Sequence, residues 1–242
     1  MELTPTLLEK LQQFDTPTIC NVIELFDVRP RNAGFMDERI KCQFPEFPPM
    51  VGLAATASFR SNEAPKSSDA YGSLQEQLAI MEELTLPSVV VFQDIDSPTV
   101  GATFGEVMCS TYKAFGSAGL ITSGGGRDLI QVKQIGFPIF TGSTICSHAY
   151  CHILNVGAPV HVGGISIATG DLLHGDENGV TTIPIEIAAE VADISDEFIQ
   201  AERCVLDYVQ ADGEKTIEEF TKRSKDMSEA VAKLRSRVSR KS

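Results

Sequence analysis

The chain has 242 residues, enough for one large domain or two small ones. Hydrophobic residues make up 43%, which supports a substantial core and excludes global disorder. With 33 acidic and 20 basic residues the net charge is -13. That surface repels a phosphate backbone and argues against nucleic acid as a partner, while a small anion can still be held locally by one Arg or a metal ion.

No run of about 18 apolar residues is present, so no membrane span is expected. Glu2, Glu9 and Lys10 interrupt the N-terminal stretch, which does not read as a signal peptide. The six cysteines, Cys20, Cys42, Cys109, Cys146, Cys151 and Cys204, show no CxxC and no disulfide-type spacing, and the reading is a reducing, cytoplasmic location. Trp is absent and aromatics reach 7%, too few for a base-stacking platform.

Along the chain, Leu7, Leu8 and Leu11 recur at helical spacing. Asp15-Thr16 before Pro17 reads as a helix start, followed by the apolar stripe Ile19, Val22, Ile23 and Phe26. Residues 29–50 carry Pro30, Pro45, Pro48 and Pro49 and read as an irregular connection. Val51–Ser58 predicts a buried strand, Tyr71–Leu84 a helix, Ser88–Phe92 a strand, Gly105–Phe115 a helix and Gly119–Thr122 a strand. This alternation points to a parallel or mixed sheet covered by helices. After Pro138 the pattern becomes β-rich: Asn155–Val162, Ile165–Ala168, Asp171–Leu173 and Val180–Ile183, with turns at Gly163-Gly164 and Gly170-Asp171. The expectation is one α/β domain over residues 1–210, with a second β layer and N-terminal helices. Ile185–Val209 reads as a helix with an acidic exposed face. Residues 211–242 read as a charged helical tail; Lys222–Ser242 holds eight basic and two acidic residues, a local +6 against -19 for the remainder. The tail fits a solvated helix packing Val231, Leu234 and Val238 on a neighbour better than an anion-binding arm.

Two stretches carry chemistry. One runs Gly101-Ala-Thr-Phe-Gly105-Glu106-Val107-Met108, the other Ser123-Gly124-Gly125-Gly126-Arg127-Asp128. Both fall where a strand should give way to a helix or loop, the place where open α/β sheets gather ligands. Glycines allow close backbone approach, Arg127 offers a planar fork for a carboxylate, and Asp128 offers hard oxygens for Mg²⁺ or Mn²⁺. No Gly-Lys-Ser/Thr follows the glycines and their spacing is not that of a dinucleotide fingerprint, so neither phosphate motif applies.

These segments resemble the RraA-like family, which includes class II pyruvate aldolases acting on 4-hydroxy-4-methyl-2-oxoglutarate and 4-carboxy-4-hydroxy-2-oxoadipate. The resemblance rests on Asp15-Thr16-Pro17-Thr18-Ile19-Cys20-Asn21, Gly52-Leu-Ala-Ala-Thr56, Gly105-Glu106, and Arg127-Asp128 twenty residues further on. It continues through Pro159-Val160, Gly163-Gly164, Gly170-Asp171 and Asp176-Glu-Asn-Gly179-Val180, so that it covers about residues 15–184. It implies a three-layer β/β/α swivelling-domain-like fold and a homotrimer or hexamer with sites between subunits. It further implies that Arg127 binds the carboxylate and keto oxygen of a small anionic 2-oxo acid. Asp128 would hold Mg²⁺ or Mn²⁺, Glu106 would orient water on the metal, and the N–H groups of Val107 and Met108, after Gly105, would cradle the carboxylate. The implied activity is metal-dependent cleavage of 4-hydroxy-2-oxo acids to pyruvate, with oxaloacetate decarboxylation through the same enolate.

Three positions depart from the family pattern. Gln131 stands where some aldolases carry an acid, Ser123-Gly124 where Asp-Gly is frequent, and Asn21 where an aspartate is common. Retention of Arg127 and Asp128 separates this chain from members that only regulate ribonuclease E, the alternative reading being a non-catalytic regulator of a ribonuclease or another protein. Quinone methylation is disfavoured, because no nucleotide-type glycine motif offers a place for S-adenosylmethionine. Of the remaining residues, His148 and His152, near Cys146 and Cys151, read as hydrogen-bonded or interface histidines in preference to a zinc site. His174 reads as a turn residue, mainly structural. Arg60 either pairs with Glu63 or meets a second substrate carboxylate. The cysteines read as small core residues.

Overall fold

A computed structural model describes residues 3–65 and 73–240 of the chain. It divides into two compact units: residues 17–33 with 186–240, and residues up to 16 with 34–185. In chain order the elements are α1 (Pro5–Leu11), α2 (Thr16–Ile23), β1 (Lys41–Cys42), β2 (Met50–Arg60), α3 (Leu74–Glu83), β3 (Ser88–Asp94), β4 (Ala102–Phe104) and α4 (Glu106–Ala114). They continue with β5 (Ser117–Gly126), α5 (Leu129–Gln134), β6 (Ile139–Thr144), β7 (His152–Leu154), β8 (Val160–Val162), β9 (Ile165–Ile167), β10 (Leu172–Asp176), β11 (Gly179–Ile183), α6 (Ala188–Gln210) and α7 (Ile217–Val238).

In the larger unit, nine strands among the described residues form one mixed sheet, with the path β1-β6-β5-β3-β2-β10-β11 and with β4 on β5 and β7 on β2. β2, β3, β5 and β6 are parallel neighbours, and β10 returns antiparallel on β2. The central strands are buried on both faces, which is why β2 and β3 read as unbroken apolar runs rather than alternating ones. The two-residue side-chain period divides them between two cores. Ala55, Ala57, Phe59, Val90, Phe92 and Leu120 join the core that contains Met108, Cys109 and Tyr112 of α4 and Val132 of α5. Ala54, Val89, Val91 and Ile121 join the opposite core, closed by Val160, Val162 and Ile167 of the β8–β9 hairpin. Helices, sheet and hairpin are therefore the three layers of the expected β/β/α architecture. Each large apolar side chain so enclosed contributes about 1.5–3 kcal/mol. The hairpin turns at Gly163 and Gly164, whose φ values of 59° and 80° suit the two-residue turn that matches strand twist.

Differences from the sequence reading have physical causes. Of the predicted strand Asn155–Val162 only Val160–Val162 forms one, as β8; β7 precedes the run, and Asn155 and Gly157 stand at positive φ between the two. The helix expected over Tyr71–Leu84 is α3, starting at Leu74; Tyr71 lies outside the described residues. The strand expected over Gly119–Thr122 is longer, β5 running from Ser117 through the glycines to Gly126. A side chain at Gly126 would overlap the Phe104 ring, and one at Gly124 would meet Thr103 and the Asp94 carboxylate, so these glycines let β4 and β5 pack closely.

In the smaller unit, α6 and α7 pack as an antiparallel pair, and the end of α7 packs on the short 3₁₀ turn Glu24–Phe26. Leu234 and Val238 are buried there. Four basic residues of the tail are engaged within the unit: Arg235 with Asp27 at 3.2 Å, Arg237 with Glu197 at 2.6 Å, Arg223 with Glu219 at 2.7 Å, and Arg240 with Glu190. Arg237 holds the Glu197 carboxyl below its ordinary value. Among the described residues no helix is long and apolar enough to cross a membrane.

Candidate active site

The site forms at the carboxyl ends of β4 and β5, where the chain turns into α4 and α5. β4 ends at Phe104, Gly105 caps α4 in an extended conformation with φ of -155°, and Glu106 occupies the first turn. The acidic residue there complements the partial positive charge of the helix start. Parallel pairing of β4 with β5 brings Phe104 beside Gly126, and the Arg127 N–H donates to the Phe104 carbonyl at 3.2 Å. This carries Arg127 and Asp128 across to Gly105–Met108 despite twenty intervening residues.

Asp128 adopts the left-handed conformation, φ 56°, and starts α5. Its Oδ2 accepts the Glu106 N–H at 3.1 Å and lies 3.8 Å from Arg127 Nε. A Cβ at Gly105 would stand 2.7 Å from that oxygen and 3.0 Å from Arg127 Nε, so glycine is needed for the close approach. With the first N–H of α4 taken by Asp128, the N–H groups of Val107 and Met108 complete the open helix start that faces the cavity.

The cavity has a volume of about 390 Å³. Arg127, Asp128, Glu106, Gly105, Val107 and Met108, all six residues proposed from sequence, line it together. Leu74, Ala102, Phe104, Thr111, His148 and Cys151 complete the lining. Sequence reasoning missed these six as site residues, although Ala102 and Phe104 lie within one of the stretches it singled out. Leu74 arrives on α3, and His148 and Cys151 on the segment after β6, which backbone bonds from Ala102 N–H to the Ser147 carbonyl and from Tyr150 N–H to the Ser61 carbonyl tie down. No local motif signals that convergence.

Gln131 lines a second depression on the other side of Arg127 and Asp128, with Ile130 and Cys146. Ser123 Oγ accepts the Asp94 N–H at 2.9 Å and belongs to the joint between β5 and β3. Arg60 lies 3.3 Å from both Glu63 and the buried Asp96 carboxylate, so its charge is used within the fold. His148 Nδ1 bonds the Ala149 carbonyl at 2.8 Å and His152 Nδ1 the Tyr150 carbonyl at 2.9 Å. His174 is fully buried, bonded to Thr16 Oγ1 at 2.9 Å and to the Leu11 carbonyl at 3.1 Å, and burial pushes its pKa down. Cys109 and Cys151 are core residues, and burial pushes the Cys109 thiol up, which keeps it protonated.

Among the described residues no three His, Cys, Asp or Glu side chains cluster as a metal cage. Asp128, half-exposed with one oxygen engaged by an N–H, and Glu106 on the same cavity fit a different kind of site. They suit Mg²⁺ or Mn²⁺, which keep several waters and bind through one or two carboxylates.

A protein of Halalkalibacterium halodurans, provisionally named a 4-hydroxy-4-methyl-2-oxoglutarate aldolase, is 34% identical over 112 residues, 45% of this chain and 53% of that protein. The chain matches about half the length or less of its curated relatives. A crystal structure described as novel cellulases from microbes associated with the gut ecosystem superposes with a TM-score of 0.70 at 26% identity, covering 84% of this chain and 87% of that one. Streptomyces coelicolor RraAS2, described as an unusual member of the RNase ES inhibitor RraA protein family, superposes with a TM-score of 0.66 at 23% identity, over 84% of this chain and 97% of that one. The RraA-like model, described as Aldolase/RraA, matches residues 16–182, and by that match the chain belongs to the RraA-like family.

Proposed function

We propose that the protein is a divalent-metal-dependent aldolase that cleaves 4-hydroxy-2-oxo acids, of the 4-hydroxy-4-methyl-2-oxoglutarate type, to pyruvate and also decarboxylates oxaloacetate. The observation that carries this reading is the convergence of the Arg127 guanidinium, the Asp128 and Glu106 carboxylates and the start of α4 on one cavity. Arg127 would pair with the substrate carboxylate and keto oxygen, supported by the N–H groups of Val107 and Met108. In cleavage the C3–C4 bond breaks, the 4-hydroxyl loses its proton as C4 becomes a carbonyl, and the electron pair passes into the pyruvate enolate. Negative charge grows on the former keto oxygen, where Arg127 stabilises it. Glu106 would orient the water that accepts the hydroxyl proton. A divalent cation held at Asp128 would supply Lewis-acid stabilisation of the same oxygen. No Schiff-base lysine is required. Oxaloacetate loses CO₂ to give the same enolate, so one arrangement serves both reactions.

The family contains both aldolases and regulators without catalysis, and the presence of both Arg127 and Asp128 favours the enzyme. A homotrimer or hexamer, as the family resemblance implies, and a cytoplasmic location, as the cysteine pattern implies, belong to this proposal; light scattering tests the assembly. The deciding assay is pyruvate release from oxaloacetate and from 4-hydroxy-4-methyl-2-oxoglutarate, with Mg²⁺ and with EDTA. Metal-dependent release supports the aldolase. Folded protein that releases none, and that instead retains a stoichiometric protein partner, overturns it in favour of a regulator.

A further inference from the structure

Resting on the reading of this cavity as a 2-oxo acid site, we infer that His148 is a further catalytic residue, whose Nε2 delivers the proton that turns the enolate into pyruvate. Bond cleavage leaves the enolate with its electron pair shared between the former keto oxygen and C3. Oxaloacetate and 4-hydroxy-2-oxo acids reach the same species, and each then requires a proton at C3. Arg127 keeps its own proton and serves the carboxylate end, while Glu106 is directed at the proton of the 4-hydroxyl. His148 lines the same cavity of about 390 Å³, the size of a pocket for one small ligand.

The imidazole is set for this use. A carbonyl oxygen only accepts, so the 2.8 Å bond to the Ala149 carbonyl places hydrogen on Nδ1. Nε2 is then the nitrogen that gains and loses a proton, as an imidazole does near neutral pH. The turn that carries His148 is fixed by its backbone. The Ala102 N–H donates to the Ser147 carbonyl at 2.8 Å, the Cys151 N–H to the His148 carbonyl at 3.0 Å, and the Ala149 N–H to Ser147 Oγ at 3.1 Å. Gly101 admits the turn, since a Cβ there would stand 2.9 Å from the His148 carbonyl oxygen. Ala149 is held at a φ of 46°, left-handed backbone that an alanine rarely adopts. Strained backbone of this kind gathers at active sites. When Nε2–H gives its proton to C3, the enolate pair becomes a C–H bond and the C2 carbonyl re-forms. The imidazole then takes a replacement proton from water.

The test runs that step in reverse. The full chain with Mg²⁺ and pyruvate is placed in D₂O, and proton NMR follows loss of the methyl signal above the rate with Mg²⁺ alone. Nε2 takes a methyl proton, the C–H pair becomes the enolate, and a deuteron returns from the same nitrogen. His148→Asn keeps a side-chain N–H for the Ala149 carbonyl and lacks Nε2. Exchange is expected to be about 100-fold slower in this variant, with pyruvate affinity by isothermal titration within twofold of the parent. Added imidazole should recover part of the rate in the variant and leave the parent unchanged, which a structural role would not produce. Exchange that persists in His148→Asn overturns the inference and leaves the enolate site standing. Exchange lost together with pyruvate binding, and not recovered by imidazole, overturns it in favour of a binding role. No exchange by the unaltered chain overturns both the inference and the reading of the cavity. If exchange depends on His148 while no 4-hydroxy-2-oxo acid is cleaved, the aldolase reading fails and the proton role stands.

Discussion

Asp128 Oδ2 accepts the backbone N–H of Glu106 at 3.1 Å, so the start of α5 and the start of α4 are joined through the carboxylate proposed to hold the metal. One oxygen serves position, which fixes where the carboxylate stands before any ligand arrives. Preorganisation of this kind spares the reaction the work of orienting its own groups.

The joint depends on Gly105, where a Cβ would press on both Asp128 Oδ2 and Arg127 Nε. Gly105→Ala is expected to lower kcat/KM for pyruvate release by about 100-fold, the scale of a displacement near 1 Å. The protein should remain folded, because the side chains that give way are at the cavity surface. Activity and circular-dichroism melts on the same preparation check this; unchanged activity contradicts the proposed geometry.

Arg127→Lys keeps the charge but removes the planar fork, and should lower kcat by about 10²–10³, the scale of losing one preorganised donor. Asp128→Asn should remove metal-stimulated release while preserving the fold, since Asn tolerates the left-handed φ of 56° as Asp does. Metal titration followed by pyruvate release, with thermal melts as the control, separates these roles. Metal-stimulated release that survives Asp128→Asn would sink the assignment of Asp128.

Stability should depend on pH through His174. The Leu11 carbonyl can only accept, so His174 Nε2 carries hydrogen and neutral Nδ1 accepts the Thr16 hydroxyl. Desolvation by burial lowers the folded-state pKa from an ordinary 6.5, while Asp15 and Asp176 oppose the shift. The unfolded chain therefore binds the extra proton first as pH falls below about 6.5, and folding stability declines from there, by at most about 1.4 kcal/mol per pH unit. Melting temperatures from pH 8 to pH 5 should fall below pH 6.5 for the parent chain. His174→Gln should flatten that limb while lowering stability at pH 8.

Gly126→Ala tests packing instead of chemistry. The added methyl group meets the Phe104 ring, and overpacking of this kind destabilises by about 1–3 kcal/mol. Urea unfolding should show the loss. A second change, Phe104→Leu, should recover part of it, which it would not do if the glycine served only to bind an anion.

Much of the fold was legible from local pattern. The apolar runs at Val51–Ser58 and Ser88–Phe92 are strands of the central sheet, Gly105–Phe115 is α4, and the turns at Gly163-Gly164 and Gly170 stand at positive φ. Local chemistry sufficed there because strand burial, helix periodicity and glycine turns are properties of a few adjacent residues. The run of β5 through its glycines, beyond the end predicted at Thr122, was hidden for the complementary reason. Their smallness answers to Phe104, Thr103 and Asp94, which are distant in the chain, and no property of Gly124–Gly126 alone announces those neighbours.

The same division holds at the site. The residue types and order of Gly105, Glu106, Arg127 and Asp128 identified the family and the polar half of the cavity from sequence alone. Only the tertiary structure decided what faces them. Parallel pairing of β4 with β5 brought the two motifs together, and packing of α3 and of the segment after β6 added Leu74, His148 and Cys151. Motif residues carry chemistry that can be recognised one side chain at a time. The rest of the lining carries no motif; its role comes from position, and position is settled by long-range packing that a linear pattern does not encode.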